Sequence, residues 1–199
     1  MTPNRFYRRG FFNSSFMTNI MKQILEHNKK FVENEDYKKF ITDKYPDKKI
    51  AILTCMDTRL VELLPAALGI KNGDVKMIKN AGGVITDPFD SAIRSLLVAI
   101  YELGVNQIMV IGHTECGVQG MDGEEMIELM KERGINLDHI ELIQKCGINL
   151  KQWLTGFEET PAAVADTVSL ISNHPLIPKD VKVDGFIIDS VTGKLTPLE

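Results

Sequence analysis

This chain of 199 residues has no long hydrophobic run. Its longest apolar stretches, 95–100 and 108–111, fall well short of the roughly 18–20 uncharged residues that a transmembrane helix requires. A membrane span is therefore not expected. Cysteine is scarce as well. Three cysteines, an odd number in a chain large enough to bury its own core, do not make a disulfide framework, and thiols or metal ligands fit better. Positive charge is not in excess either. A net charge of −4 without clustered Lys and Arg argues against a nucleic-acid partner, because phosphate neutralisation needs a basic face. Neither G-x-G-x-x-G nor G-x-x-x-x-G-K-[ST] follows a predicted strand, which disfavours dinucleotide or phosphate binding. Internal repeats and linkers are also missing.

What remains has the composition of one soluble globular domain, with 44% hydrophobic and 25% charged residues. We place that domain at 20–199, after an irregular arm at 1–19. The arm carries Arg5, Arg8 and Arg9 with no acidic residue and several aromatics. Such a composition suits a transit peptide, but the continuous apolar core of a secretory signal is missing. A cytoplasmic location is the expectation.

The pattern of elements predicts an α/β fold. Ile20, Ile24, Leu25, Phe31 and Val32 keep a loose helical spacing over 20–37, and 38–46 carries a further turn or two. Three short apolar runs, 49–55, 74–81 and 107–112, read as strands, the first and third of them buried. Helices are predicted at 60–68, 90–103, 124–133, around 150–153 and at 161–172. Of these, 90–103 is the clearest, with Asp90 or Ser91 as its cap and Gly104 as its stop. A last strand at 183–189 leads through a tight turn to a short return near Leu195. Strands alternating with helices argue for a mostly parallel central sheet flanked by helices, with ligands at the carboxyl ends of the strands.

The chemistry gathers at those ends. The first strand ends in Cys55-x-Asp57-x-Arg59, and the third in His113-x-x-Cys116. Zinc takes thiolate and imidazole ligands in tetrahedral geometry, and a site with three protein ligands keeps its fourth position for water or substrate. Each piece alone has a plainer reading, as a core cysteine or a chance His-x-x-Cys. Jointly, at the ends of two predicted strands, they point to zinc held by Cys55, His113 and Cys116. Asp57 also has a plainer reading, as a cap for the helix that follows or as a surface ion pair with Arg59. The segment 80–83 has one as a glycine-rich turn. Cys146, with no His or Cys near it, reads as a buried small hydrophobe. His27, His139 and His174 read as ordinary surface or core histidines. Glu115, between two candidate ligands, reads as a supporting or solvent-facing residue rather than a base.

Cys55-x-Asp57-x-Arg59, His113-x-x-Cys116 and Lys79-Asn-Ala-Gly-Gly83 together resemble the β-class carbonic anhydrases, and the compact length is similar to their short, archaeal-type clade. The resemblance implies one Zn2+ per chain on Cys55, His113 and Cys116, an Asp57 and Arg59 dyad, and a substrate approach at Ala81, Gly82 and Gly83. It further implies a homodimer, or a higher even-numbered homo-oligomer, whose N-terminal helices reach over the partner. The implied reaction is the reversible hydration of carbon dioxide to bicarbonate and a proton, by attack of a zinc-bound hydroxide that the dyad orients. Two thiolates would cancel the formal charge of the ion, so activity is expected to rise with pH through the neutral to mildly alkaline range. Hydrolysis of carbonyl sulfide or carbon disulfide on the same fold is the alternative enzyme reading. A zinc-binding protein without turnover is the alternative of another class, in which loss of Asp57 or Arg59 would be expected.

Overall fold

The structure is a computed structural model that describes residues 18–199. The predicted arm at 1–19 therefore lies almost wholly outside the described residues. The chain divides into two compact units, one ending at Ile41 and the other spanning Thr42–Glu199.

In the first unit, α1 (Asn19–Glu33) starts at Thr18, whose side chain accepts the Met21 N–H, and it buries none of its residues. The helix is shorter than predicted. Glu35 takes a left-handed backbone (φ 58), which breaks the run and starts a single 3-10 turn at Asp36–Phe40.

The second unit is built on a five-stranded sheet. Its strands are β1 (Ile50–Cys55), β2 (Val75–Asn80), β3 (Gln107–His113), β4 (Lys182–Ile188) and β5 (Leu195–Pro197), in the order β2-β1-β3-β4-β5. The first four are parallel, and β5 returns antiparallel to β4. The mostly parallel sheet with a short C-terminal return is thus the predicted one. Ala51, Ile52 and Leu53 of β1 and Ile108, Val110 and Ile111 of β3 are completely buried. Continuous burial is what a strand covered on both faces requires.

Two apolar layers provide that cover. One joins Ala51, Leu53 and Val110 to α3 (Ser91–Tyr101) and α7 (Thr160–Ser172) through Ile93, Leu96, Val164 and Ile171. The other joins Ile52, Ile111 and Ile188 to Leu60 and to Leu64 of α2 (Leu63–Ala67). Asp90 caps α3 by accepting the Ile93 N–H at 2.8 Å, as its sequence signal indicates.

Between β3 and β4 the chain forms α4 (Gly123–Glu132), α5 (Leu137–Lys145) and α6 (Leu150–Leu154), around Ile127, Ile140 and Leu150. The sequence reading missed α5. It is a nine-residue helix that turns only Ile140 and Ile143 inward, while Leu137 and Leu142 are more than half exposed, so few positions carry its helical period. Cys146 follows this helix and is exposed rather than buried. It lies four residues after the exposed Leu142, on the side of α5 turned to solvent.

The winding of the sheet positions the candidate site. The chain runs from β1 outward to β2 and then crosses to the other side of β1 for β3, so the winding direction reverses between β1 and β3. In open parallel sheets a crevice forms at such a reversal, outside the carboxyl ends of the strands.

Candidate metal centre

Cys55 is the last residue of β1 and His113 the last of β3, and these strands are in register as neighbours, Thr54 opposite Ile111. Cys116 follows in the turn after β3. All three side chains are buried, and their ligating atoms lie within 4.8 Å of one another. The two sulfurs are 3.9 Å apart, nearly twice the ~2.05 Å of a disulfide, so they face one another as free thiols.

Hydrogen bonding sets the imidazole. His113 Nδ1 donates to the carbonyl of Thr114 at 2.9 Å, which leaves the lone pair on Nε2. That atom is fully buried and makes no conventional hydrogen bond. An orphaned buried acceptor costs desolvation energy unless something else takes its lone pair. Two thiols and an imidazole converging around such an atom are the donor set of a tetrahedral metal site. The turn itself is tied to the sheet. Thr114 N–H donates to the Ile188 carbonyl at 3.1 Å, and the Ser190 N–H donates to the Thr114 hydroxyl at 3.0 Å.

The electrostatics favour an ionised sulfur. Burial resists charging Cys55, but the His113 imidazole and the N–H groups of Asp57 and Gly82 outweigh it, and its thiol falls from 9.0 to about 7. The same Cys55 contact is the main reason His113 is raised above its ordinary value. Cys116 moves up, first through burial and then because a charged Cys55 repels a second thiolate.

Asp57 does two things that the sequence reading set against each other. Its Oδ1 caps the 3-10 turn Thr58–Leu60 by accepting the Arg59 N–H at 2.8 Å. The same carboxylate takes a two-pronged bond from the guanidinium, Nε to Oδ1 and Nη2 to Oδ2, both at 3.0 Å. These bonds from Arg59 pull its pKa down to about 2. Oδ2 also lies 3.9 Å from His113 Nε2, so the pair sits beside the Cys-His-Cys cluster.

Arg59 has a further partner that local sequence gives no sign of. The Glu115 main-chain carbonyl accepts from Nη2 at 2.9 Å, and Glu115 Oε2 accepts from Nη1 at 3.2 Å. Fifty-six positions separate these residues, so only the sheet brings them together.

The segment 80–83 follows β2. Asn80 Nδ2 donates to the Val84 carbonyl at 2.7 Å and holds the turn Ala81–Gly83 closed. Ala81 is exposed, whereas Gly82 and Gly83 are buried. A Cβ on Gly82 would meet Phe157 at 2.9 Å, and one on Gly83 would lie 2.6 Å from the backbone nitrogen of Cys55. Gly83 also has φ +68, so glycine is required there by contact and by conformation. The other histidines lie apart: His27 and His139 are exposed, and buried His174 contacts the Pro88 carbonyl and the Leu176 N–H. Among the described residues no helix is long and apolar enough to cross a membrane.

A mostly parallel sheet with a buried Cys-His-Cys cluster at its winding reversal defines an open-sheet α/β protein with a cluster that could hold a metal ion. Comparison with known proteins makes the assignment specific. The family model described as carbonic anhydrase matches residues 50–195. A Bacillus subtilis protein named "Putative carbonic anhydrase YtiB" is 50% identical over 176 residues, covering 88% of this chain and 94% of that one. A carbon disulfide hydrolase of Acidithiobacillus thiooxidans is 35% identical over 160 residues, covering 76% of this chain and 77% of the relative. The crystal structure of a β-carbonic anhydrase from Trichomonas vaginalis superposes with a TM-score of 0.79 at 32% identity, over 92% of this chain and 98% of that one. The chain belongs to the β-carbonic anhydrase family.

Proposed function

We propose that this protein catalyses the reversible hydration of carbon dioxide to bicarbonate and a proton, with one zinc ion per chain held by Cys55, His113 and Cys116. The observation that carries this reading is the unpartnered, buried Nε2 of His113, set among two thiols and 3.9 Å from a carboxylate locked by an arginine. Zinc, when bound, supplies the Lewis acidity that lets a water ionise near neutral pH. The chain's own residues do the rest. Asp57, held near 2, is ionised at any working pH and offers an acceptor to the O–H of the attacking water. Arg59 keeps that carboxylate oriented through its two-pronged bond. Buried Gly82, beside Phe157, lets main chain come close to a small linear substrate, and Ala81 and Gly83 frame the same turn. The proton leaves to buffer.

A homodimer and a cytoplasmic location belong to the same proposal. Ile20, Ile24, Leu25 and Val32 of α1 are all more than half exposed, which supports a second copy as their cover. The relative named for carbon disulfide hydrolysis supports a second reading, in which carbon disulfide or carbonyl sulfide is attacked at the same site. Metal analysis of the purified chain, with a stopped-flow panel of carbon dioxide, carbonyl sulfide and carbon disulfide, tests both. Zinc with rapid carbon dioxide hydration supports the first. Turnover of the sulfur compounds alone replaces it with the second, and a zinc-loaded protein inert to all three overturns both.

A further inference from the structure

The turn that carries two of the candidate ligands also contains a conformational oddity. Between His113 and Cys116 the backbone passes through Glu115 at φ 54. Residues with a side chain avoid this left-handed region, and glycine enters it freely. A glutamate there needs a reason. Its carbonyl faces Arg59 Nη2 at 2.9 Å and its carboxylate faces Nη1 at 3.2 Å. Asp57 and Arg59 share one short turn, and their bonds to each other do not reach the loop after β3. Contact with Glu115 ties that pair to the loop bearing His113 and Cys116.

We propose that Glu115 is a positioning residue, whose left-handed backbone presents a carbonyl and a carboxylate that seat the Arg59 guanidinium and thereby register Asp57 against the Cys-His-Cys cluster. This rests on the reading of Asp57 and Arg59 as the orienting pair. A fork onto Asp57 alone fixes the guanidinium at one edge. Anchoring the Nη1 edge to Glu115 removes the swing that remains. The carboxylate is 77% exposed and its pair with Arg59 is screened by solvent, so it acts by restricting geometry more than by attraction.

The test uses the zinc-loaded full chain and four variants: Glu115→Ala, Glu115→Gln, Arg59→Ala and the double Arg59→Ala/Glu115→Ala. Glu115→Ala keeps its zinc, loses about three- to tenfold in kcat with KM little changed, and Glu115→Gln, which keeps an acceptor for Nη1, recovers most of that loss. In the Arg59→Ala background the alanine substitution has no further effect, because the residue through which it acts is gone. Independently of activity, the Arg59 Nε–H resonance exchanges slowly with solvent in the unaltered protein, broadens in Glu115→Ala and returns in Glu115→Gln. Equal losses in both backgrounds overturn the proposal. So does a fully active Glu115→Ala with an unchanged Arg59 resonance beside an impaired Arg59→Ala, and this outcome leaves the orienting pair standing. Arg59→Ala at the unaltered kcat removes the orienting pair itself, and this proposal with it.

Discussion

Asp57 shows how few atoms the site uses. One carboxylate closes a 3-10 turn, binds a guanidinium at two points and points its second oxygen toward the cluster. Replacing it separates holding the metal from using it. Asp57→Ala is expected to keep full zinc occupancy and lose about 10²–10⁴-fold in kcat, the range of a positioned acid–base group. Cys116→Ala is expected to lose zinc and activity together, which metal analysis beside the hydration assay reads directly. The third cysteine provides a control. Cys146 is exposed, so in the zinc-loaded chain a thiol reagent should modify about one thiol quickly, and the other two only after metal removal.

At the scale of elements, the site depends on a close approach between the turn after β2 and the end of β1. Gly83 rests against the Cys55 nitrogen in a left-handed conformation. Gly83→Ala must displace backbone at a residue that carries a candidate ligand, and a loss of about 2–4 kcal/mol in unfolding free energy is expected from strain and overpacking. A urea titration measures it. The turn from β4 to β5 is held differently. Asp189 accepts N–H bonds from Thr192 at 2.6 Å and Val191 at 3.0 Å, and these lower its pKa, the Thr192 bond most. A carboxylate depressed by folding contributes stability that is complete above its unfolded value of about 3.9 and fades as pH falls through the folded value. The difference in urea midpoint between the unaltered protein and Asp189→Asn should therefore be constant from neutral pH to about pH 5 and shrink toward pH 3. A gap that widens on acidification would show that the turn is held by something other than the ionised group.

At the scale of the whole molecule, the proposed metal site predicts that stability depends on the metal. Three buried donors from two strands and a turn have no common site in the unfolded chain, so zinc bound to them stabilises only the folded state. Removing zinc with a chelator should lower the thermal midpoint, and restoring free zinc to about 100 times its dissociation constant should return about 2.7 kcal/mol. The recovery should weaken below neutral pH, since Cys55, near 7, must shed its proton to bind. An unchanged midpoint after complete chelation would place the metal elsewhere.

Much of this could be read from the order of residues. The strands β1 and β3 are continuous apolar runs, α3 has both its Asp90 cap and its apolar stripe, and Cys55, Asp57, Arg59, His113 and Cys116 fall where those strands stop. Such signals are local, so spacing and residue type are enough to show them. The sequence did not readily show α5, a short helix with only Ile140 and Ile143 turned inward, or the exposure of Cys146 that follows from its orientation. Whether Asp57 caps or pairs was also open, because a choice between two partners depends on distances that spacing does not contain. The partnership of Arg59 with Glu115 is the clearest case. It exists because β3 crosses to the far side of β1 and a left-handed backbone then aims the Glu115 carbonyl back at the first strand's turn. Local sequence determined which residues stand at the strand ends, and the winding of the sheet decided which of those ends meet.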